Sequence, residues 1–180
     1  EGGSRTHRGT PVKLSLKQLN ELAAHDASKV LFSICTSKNW VVSMLAERPF
    51  EDVGSVLDAA GKAWDACTHE DYLEAFSGHP EIGDLSALRS KYAKAANSEQ
   101  GQILEASEAT IKLLAQLNRQ YFLKNGFIFI VCATGKSAEE MLALLQERIH
   151  LDRKTEMCNA ANEQLAIMRI RLEKLMSGSR

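Results

Sequence analysis

His79 stands between Gly78 and Pro80, followed at once by two carboxylates, in the segment His79-Pro80-Glu81-Ile82-Gly83-Asp84. Pro80 biases His79 away from helical dihedrals and Gly83 offers a left-handed turn, so the imidazole sits in a restricted loop with no evident core role. With a reference pKa of about 6.5, an imidazole both gives and takes a proton at neutral pH, as general acid–base catalysis requires. The other histidines, His7, His25, His69 and His150, carry no such setting and read as surface or satisfied core residues. Ser98-Glu99-Gln100 reads as a helix start, where unpaired backbone N–H groups favour an anion. Its plainer reading is a cap with an acidic first turn, worth about 1 kcal/mol. Gln100 adds an amide that donates and accepts at once. Arg171 has Ile167 and Met168 a turn before it and Leu175 a turn after, so its stem borders an apolar stripe. A guanidinium there needs an anion or several acceptors, because an unpaired charge is costly to bury. Arg148 presents a weaker version of the same case, whereas Arg169, one turn before Glu173, reads as half of a solvated ion pair.

Two other chemistries fail on spacing. Ala133-Thr134-Gly135-Lys136-Ser137 looks like the end of a phosphate-binding loop, but Ile130 stands where that loop's first glycine must be. The run reads instead as a turn into a capped helix. A hydrolase built on His79 and Asp84 lacks an activated Ser or Cys nucleophile nearby.

The elements that must position these residues are helical almost throughout. Leu16, Leu19 and Leu22 recur at three-residue steps, and Ala27, Val30, Leu31, Ile34 and Cys35 follow the spacing of a second helix with Asp26 as its N-cap. A short helix spans Trp40 to Ala46, and Val53, Val56, Leu57, Ala60 and Trp64 form the stripe of the next. Thr68 and Asp71 make an imperfect capping box for a helix with Tyr72, Leu73 and Phe76, stopped at Gly78. After a helical stretch from Leu85 to Ala95, Ser98 is the expected cap of a long helix. Its buried side is Ile103, Ala106, Thr110, Leu113, Leu114, Leu117 and Tyr121, with Asn125-Gly126 as the stop. Phe127 to Ala133 is an apolar run with no second strand to pair with, hence buried extended backbone. Ser137 and Glu140 form a better capping box, and the last helix runs from about Asp152 to Met176 on Met157, Ala161, Leu165, Met168, Leu172 and Leu175. The expected fold is all-α, an irregular bundle of about eight helices in a single domain over residues 12–178. Residues 1–11 read as a disordered tail or a remnant foreign to the domain.

Composition bounds the partners. The 180 residues carry 22 Lys+Arg against 23 Asp+Glu, a formal net charge of -1, so no basic field is available to grip nucleic acid. The longest apolar run, Phe127 to Ala133, is far short of the roughly 20 residues that span a bilayer. Cys35, Cys67, Cys132 and Cys158 are scattered among apolar neighbours, with no CxxC pair and no histidine at metal-ligand spacing. They read as reduced structural thiols and so point to a reducing compartment. Without a targeting signal in the chain, the expectation is a cytoplasmic protein, or a peroxisomal one if a signal lies elsewhere.

Taken together, the motifs resemble those of the 2-oxo-4-hydroxy-4-carboxy-5-ureidoimidazoline (OHCU) decarboxylases. The residues that carry the resemblance are Leu19-Asn20-Glu21-Leu22, Trp40-Val41, Arg48-Pro49-Phe50 and Glu74-Ala75-Phe76-Ser77-Gly78-His79-Pro80-Glu81-Ile82-Gly83-Asp84. Ser98-Glu99-Gln100, Asn125-Gly126-Phe127-Ile128-Phe129-Ile130-Val131-Cys132-Ala133 and Ile170-Arg171-Leu172 complete them in family order. The resemblance implies a cofactor-free, metal-free, all-α enzyme, often a homodimer, that converts OHCU to (S)-allantoin in urate breakdown. It implies catalytic roles for His79, Glu99 and Arg171 around one small anionic ring. Substrate contacts would fall on Pro80, Ala96, Asn97, Ser98, Gln100, Ile130, Val131, Cys132, Ala133 and Thr134, with backbone N–H groups around Cys132 to Thr134 serving a developing oxyanion. Thr134 and Ala166 depart from residues common in the family, which affects substrate clamping at most. A hydroxyisourate hydrolase is the implied functional or fused partner. The competing expectation is a helical interaction module that kept the scaffold without the chemistry.

Overall fold

The computed structural model describes residues 12–80, 85–93 and 101–178, without the side chains of 91, 93 and 101–107. Among the described residues the secondary structure is entirely helical, with nine helices where about eight were expected. Backbone contacts group the described residues into two compact units, one of those up to Cys67 with those from Met168 onward, the other of those from Thr68 to Ile167.

The first unit holds α1 (Leu16–Glu21), α2 (Ala24–Ile34), α3 (Lys38–Ala46) and α4 (Val53–Asp65), with the end of α9 (Arg153–Leu175). Most of these helices begin where a side chain can satisfy an orphan N–H. Ser15 closes a full capping box with Gln18, Ser37 accepts from the Trp40 N–H, and Asp52 accepts from the Ser55 N–H. The second helix departs from expectation: its N-cap is Ala23, and Asp26 lies inside the first turn, where a carboxylate favours the dipole instead of capping. Leu19, Leu31, Trp40, Met44, Val56 and Ala60 form the core, and the Trp40 indole N–H donates to the Ala60 carbonyl at 3.1 Å. Arg48 closes the end of α1 by donating to the carbonyls of Leu19 (3.0 Å) and Leu22 (2.7 Å). Asn20 and Phe50 exchange two hydrogen bonds of 2.9 and 2.8 Å. Two of the sequence motifs, Leu19 to Leu22 and Arg48 to Phe50, are therefore stitched directly together.

The second unit holds α5 (His69–Ser77), α6 (Leu85–Ala93), α7 (Gly101–Asn125), α8 (Ala138–Arg148) and the first part of α9. The Thr68–Asp71 box forms in full despite its aspartate. At Ser137 the hydroxyl accepts from the Glu140 N–H, the forward half of the expected box. Gly126, at φ +77, ends α7 in the left-handed conformation that glycine adopts without strain. Residues 128–133 then form neither helix nor strand, and Phe127, Phe129, Ile130 and Val131 are buried. The Tyr121 ring meets those of Phe127 and Phe129 edge-on, at 5.9 and 5.3 Å between centroids. Among the described side chains of α7 the buried ones are Ile111, Leu114, Ala115, Asn118, Tyr121 and Asn125, so two asparagines join the side expected to be apolar, and Leu113 and Leu117, expected there, are half-buried. The asparagine amides turn back onto the helix, Asn118 to the Leu114 carbonyl and Asn125 to that of Tyr121.

No disulfide joins the four cysteines, and Cys158 is exposed rather than in the core. No helix among the described residues is long and apolar enough to cross a membrane. The proposed tail, residues 1–11, and the expected cap Ser98 lie outside the described residues.

Candidate active site

His79 follows the end of α5. Gly78 is the C-cap at φ -76, and the Gly78 and His79 N–H groups donate to the Ala75 and Phe76 carbonyls, each at 3.2 Å. The helix therefore delivers the imidazole at its last turn, half-buried, with Pro80 exposed beyond it. The ring Nε2 lies 2.5 Å from Oε1 of Gln164 on α9, a side chain only 1% exposed. His79 also lines a hollow of about 230 Å³ walled by Leu73, Phe76, Phe122, Phe127 and Ile128.

The segment 130–134 is held at three points. The Ile130 carbonyl accepts from Arg148 Nη1 at 2.7 Å, the Cys132 N–H donates to Glu163 Oε2 at 3.1 Å, and the Cys132 carbonyl accepts from Lys136 Nζ at 2.7 Å. The Cys132 N–H, one of the donors expected to face an oxyanion, is thus already engaged by a carboxylate. Ile130 and Val131 are buried, Cys132 and Ala133 half-buried, and Thr134 exposed.

Beneath this segment lies a buried polar network. Glu156, fully buried, accepts from the Tyr121 hydroxyl (2.6 Å), Arg148 Nε (2.9 Å) and Asn159 Nδ2 (2.7 Å). The Arg148 guanidinium lies 4.6 Å over the Phe129 ring. Burial first, and then the Glu156 carboxylate that the hydroxyl donates to, hold the Tyr121 phenol well above its ordinary pKa. Arg148 opposes them in part.

Arg171 belongs to the first unit, and its Nη1 donates to the Ile34 carbonyl at 3.0 Å. Ile34 is the last residue of α2, so this is one of the carbonyls a helix end leaves unpaired. Arg169 is placed differently from expectation. Among the described residues its pair with Glu173 does not form, and its guanidinium lies along α4, 3.7 Å from where a Cβ on Gly61 would stand. Glu81, Asp84, Ala96, Asn97, Ser98, Glu99 and Gln100 lie outside the described residues. Among those described, no three His, Cys, Asp or Glu side chains gather as a metal site would need.

Sequence reasoning missed Glu156, Glu163 and Gln164. The available signal was on α9, where Glu156, Ala160, Gln164 and Met168 recur at four-residue steps. A polar side chain on an otherwise apolar stripe must find a buried partner.

A family model described as OHCU decarboxylase matches residues 20–173. The chain belongs to the OHCU decarboxylase family. It is 34% identical over 146 residues to the uric acid degradation bifunctional protein TTL of Arabidopsis thaliana, a match covering 79% of this chain and 45% of that protein. It therefore spans less than half the length of that bifunctional relative. A 2-oxo-4-hydroxy-4-carboxy-5-ureidoimidazoline decarboxylase of Haloferax volcanii is 24% identical, with 92% of this chain and 98% of that one covered. A crystal structure of an OHCU decarboxylase determined in the presence of (S)-allantoin is 31% identical, with a TM-score of 0.67 over 81% of this chain and 96% of that one. Membership in this family accounts for the order of the motifs around His79 and through Phe127 to Ala133.

Proposed function

We propose that this chain is a cofactor-free decarboxylase that converts OHCU to (S)-allantoin in urate breakdown. The observation that carries this reading is the placement of His79: a titratable imidazole at a helix end, its ring tethered to a buried amide, inside a family match that spans nearly the whole chain. The reaction breaks the bond from the ring carbon to its carboxylate and releases CO₂. The electron pair left behind delocalises into the imidazoline ring, and one proton returns to that carbon on one face. The work left to the protein is to hold the anion, stabilise the developing charge and deliver the proton.

In this reading His79 moves the proton and Glu99 orients or tunes it. Arg171 anchors an anionic group of the substrate with a planar fork that a lysine does not reproduce. Gln100 reads the ureido or ring amide, and Pro80, Ala96, Asn97 and Ser98 complete the binding surface with Ile130 to Thr134. With the Cys132 N–H engaged by Glu163, the oxyanion role falls to the Ala133 and Thr134 N–H groups. Protonation from one side accounts for a single stereoisomer. The active form is a homodimer, and a hydroxyisourate hydrolase, separate or fused, supplies the preceding step.

The test is chiral. OHCU generated from urate is followed by circular dichroism with and without the protein. Accelerated appearance of the (S)-allantoin signal is the expected result, and an unchanged racemic decay would favour the non-catalytic module.

A further inference from the structure

Gln164 is 1% exposed, and its amide oxygen faces His79 Nε2 at 2.5 Å. An amide oxygen accepts and never donates, so the ring nitrogen opposite it must carry the hydrogen. A neutral imidazole has one N–H, and this pairing selects Nε2–H and makes Nδ1 the basic nitrogen. The neighbouring Glu163 takes the Cys132 N–H at 3.1 Å. Successive residues of one turn of α9 thus hold both the histidine and the backbone segment that the decarboxylase reading assigns to the substrate.

We propose that Gln164 is a positioning residue: it fixes the ring plane of His79 and its Nε2–H tautomer, so that the proton is exchanged through Nδ1. The inference rests on the decarboxylase reading and deepens it. A neutral acceptor suits the task, because the ring must pass between imidazole and imidazolium in each cycle. An anion in the same place would favour the charged form throughout.

The experiment uses the whole chain with ¹⁵N-labelled histidine, the His79 signals being assigned by their absence in His79→Asn. Above the pH of its titration, wild-type His79 is expected as the Nε2–H tautomer. Gln164→Glu, which accepts but cannot donate, should keep that tautomer, and Gln164→Leu should lose it. In turnover, the Leu variant should fall on the order of tenfold or more in kcat with KM little changed, and the Glu variant should recover part of the loss. An Nδ1–H tautomer in the wild type overturns the proposal. So does a folded Leu variant with wild-type tautomer and turnover. Should Gln164→Leu fail to fold, the wild-type and Gln164→Glu spectra decide alone. The spectra need no turnover, so absence of (S)-allantoin from the wild type would sink the decarboxylase reading while leaving the hold of Gln164 on His79 separately measured.

Discussion

His79 and Arg171 are anchored in opposite ways. The histidine is held through its ring by another side chain, while the arginine uses one of its nitrogens to hold a backbone carbonyl. Removing the imidazole therefore leaves the helix end intact. His79→Asn is expected to lower turnover on the order of 10²–10⁴-fold, about 3–5 kcal/mol of barrier, with the fold intact. Near wild-type turnover in the folded variant would remove His79 from the mechanism. Arg171→Lys retains a donor for the Ile34 carbonyl but loses the fork, so a raised KM for OHCU is expected in the circular dichroism assay. An unaltered KM would count against Arg171 as the anion anchor. The histidine was legible from its neighbours, Gly78 and Pro80, because the restriction is local. The carbonyl that receives Arg171 lies 137 residues away in the chain, and spacing along one helix gives no sight of it.

At the scale of elements, the buried glutamate joins three helices of the second unit. Tyr121 comes from α7, Arg148 from α8, and Glu156 and Asn159 from α9. Taking one partner away strands the others' charge or dipole, so Glu156→Ala is expected to cost about 3–5 kcal/mol in denaturant unfolding. A loss below about 1 kcal/mol would show the network to be dispensable. The tyrosine adds a pH dependence. Its folded pKa is raised above the unfolded value of about 10, so the folded chain holds a proton that the unfolded chain releases. This contribution is complete below about pH 10 and declines as pH rises above it. Tyr92, raised by burial and then by Glu139, acts in the same direction. Stability should fall as pH rises above about 10, and Tyr121→Phe should flatten the decline. Helix existence and most caps were readable because they depend on residues three or four apart. The buried sides of α7 and α9 were less so: periodicity sorts residues by apolarity, and Asn118, Asn125, Glu156 and Gln164 are buried because each has a hydrogen-bond partner.

For the whole molecule, the decarboxylase reading asks for no external electron sink, since in it the substrate ring accepts the pair released with CO₂. Dialysis against a chelator should therefore leave the rate of (S)-allantoin formation unchanged, and restoration of a lost rate by a divalent metal would overturn the cofactor-free reading. The order of the motifs was legible across the chain, and it led to the family; the engagement of the Cys132 N–H was not, because Glu163 reaches it from 31 positions away. Under the decarboxylase reading, which puts the substrate against residues 130–134, that bond bears on inhibitor design. A mimic carrying a negative oxygen toward this amide must first evict a resident carboxylate and would meet repulsion on approach. A ligand that brings its own N–H would find in Glu163 a ready acceptor, so the better scaffold for this corner is a donor, the reverse of what an oxyanion-trapping strategy supplies.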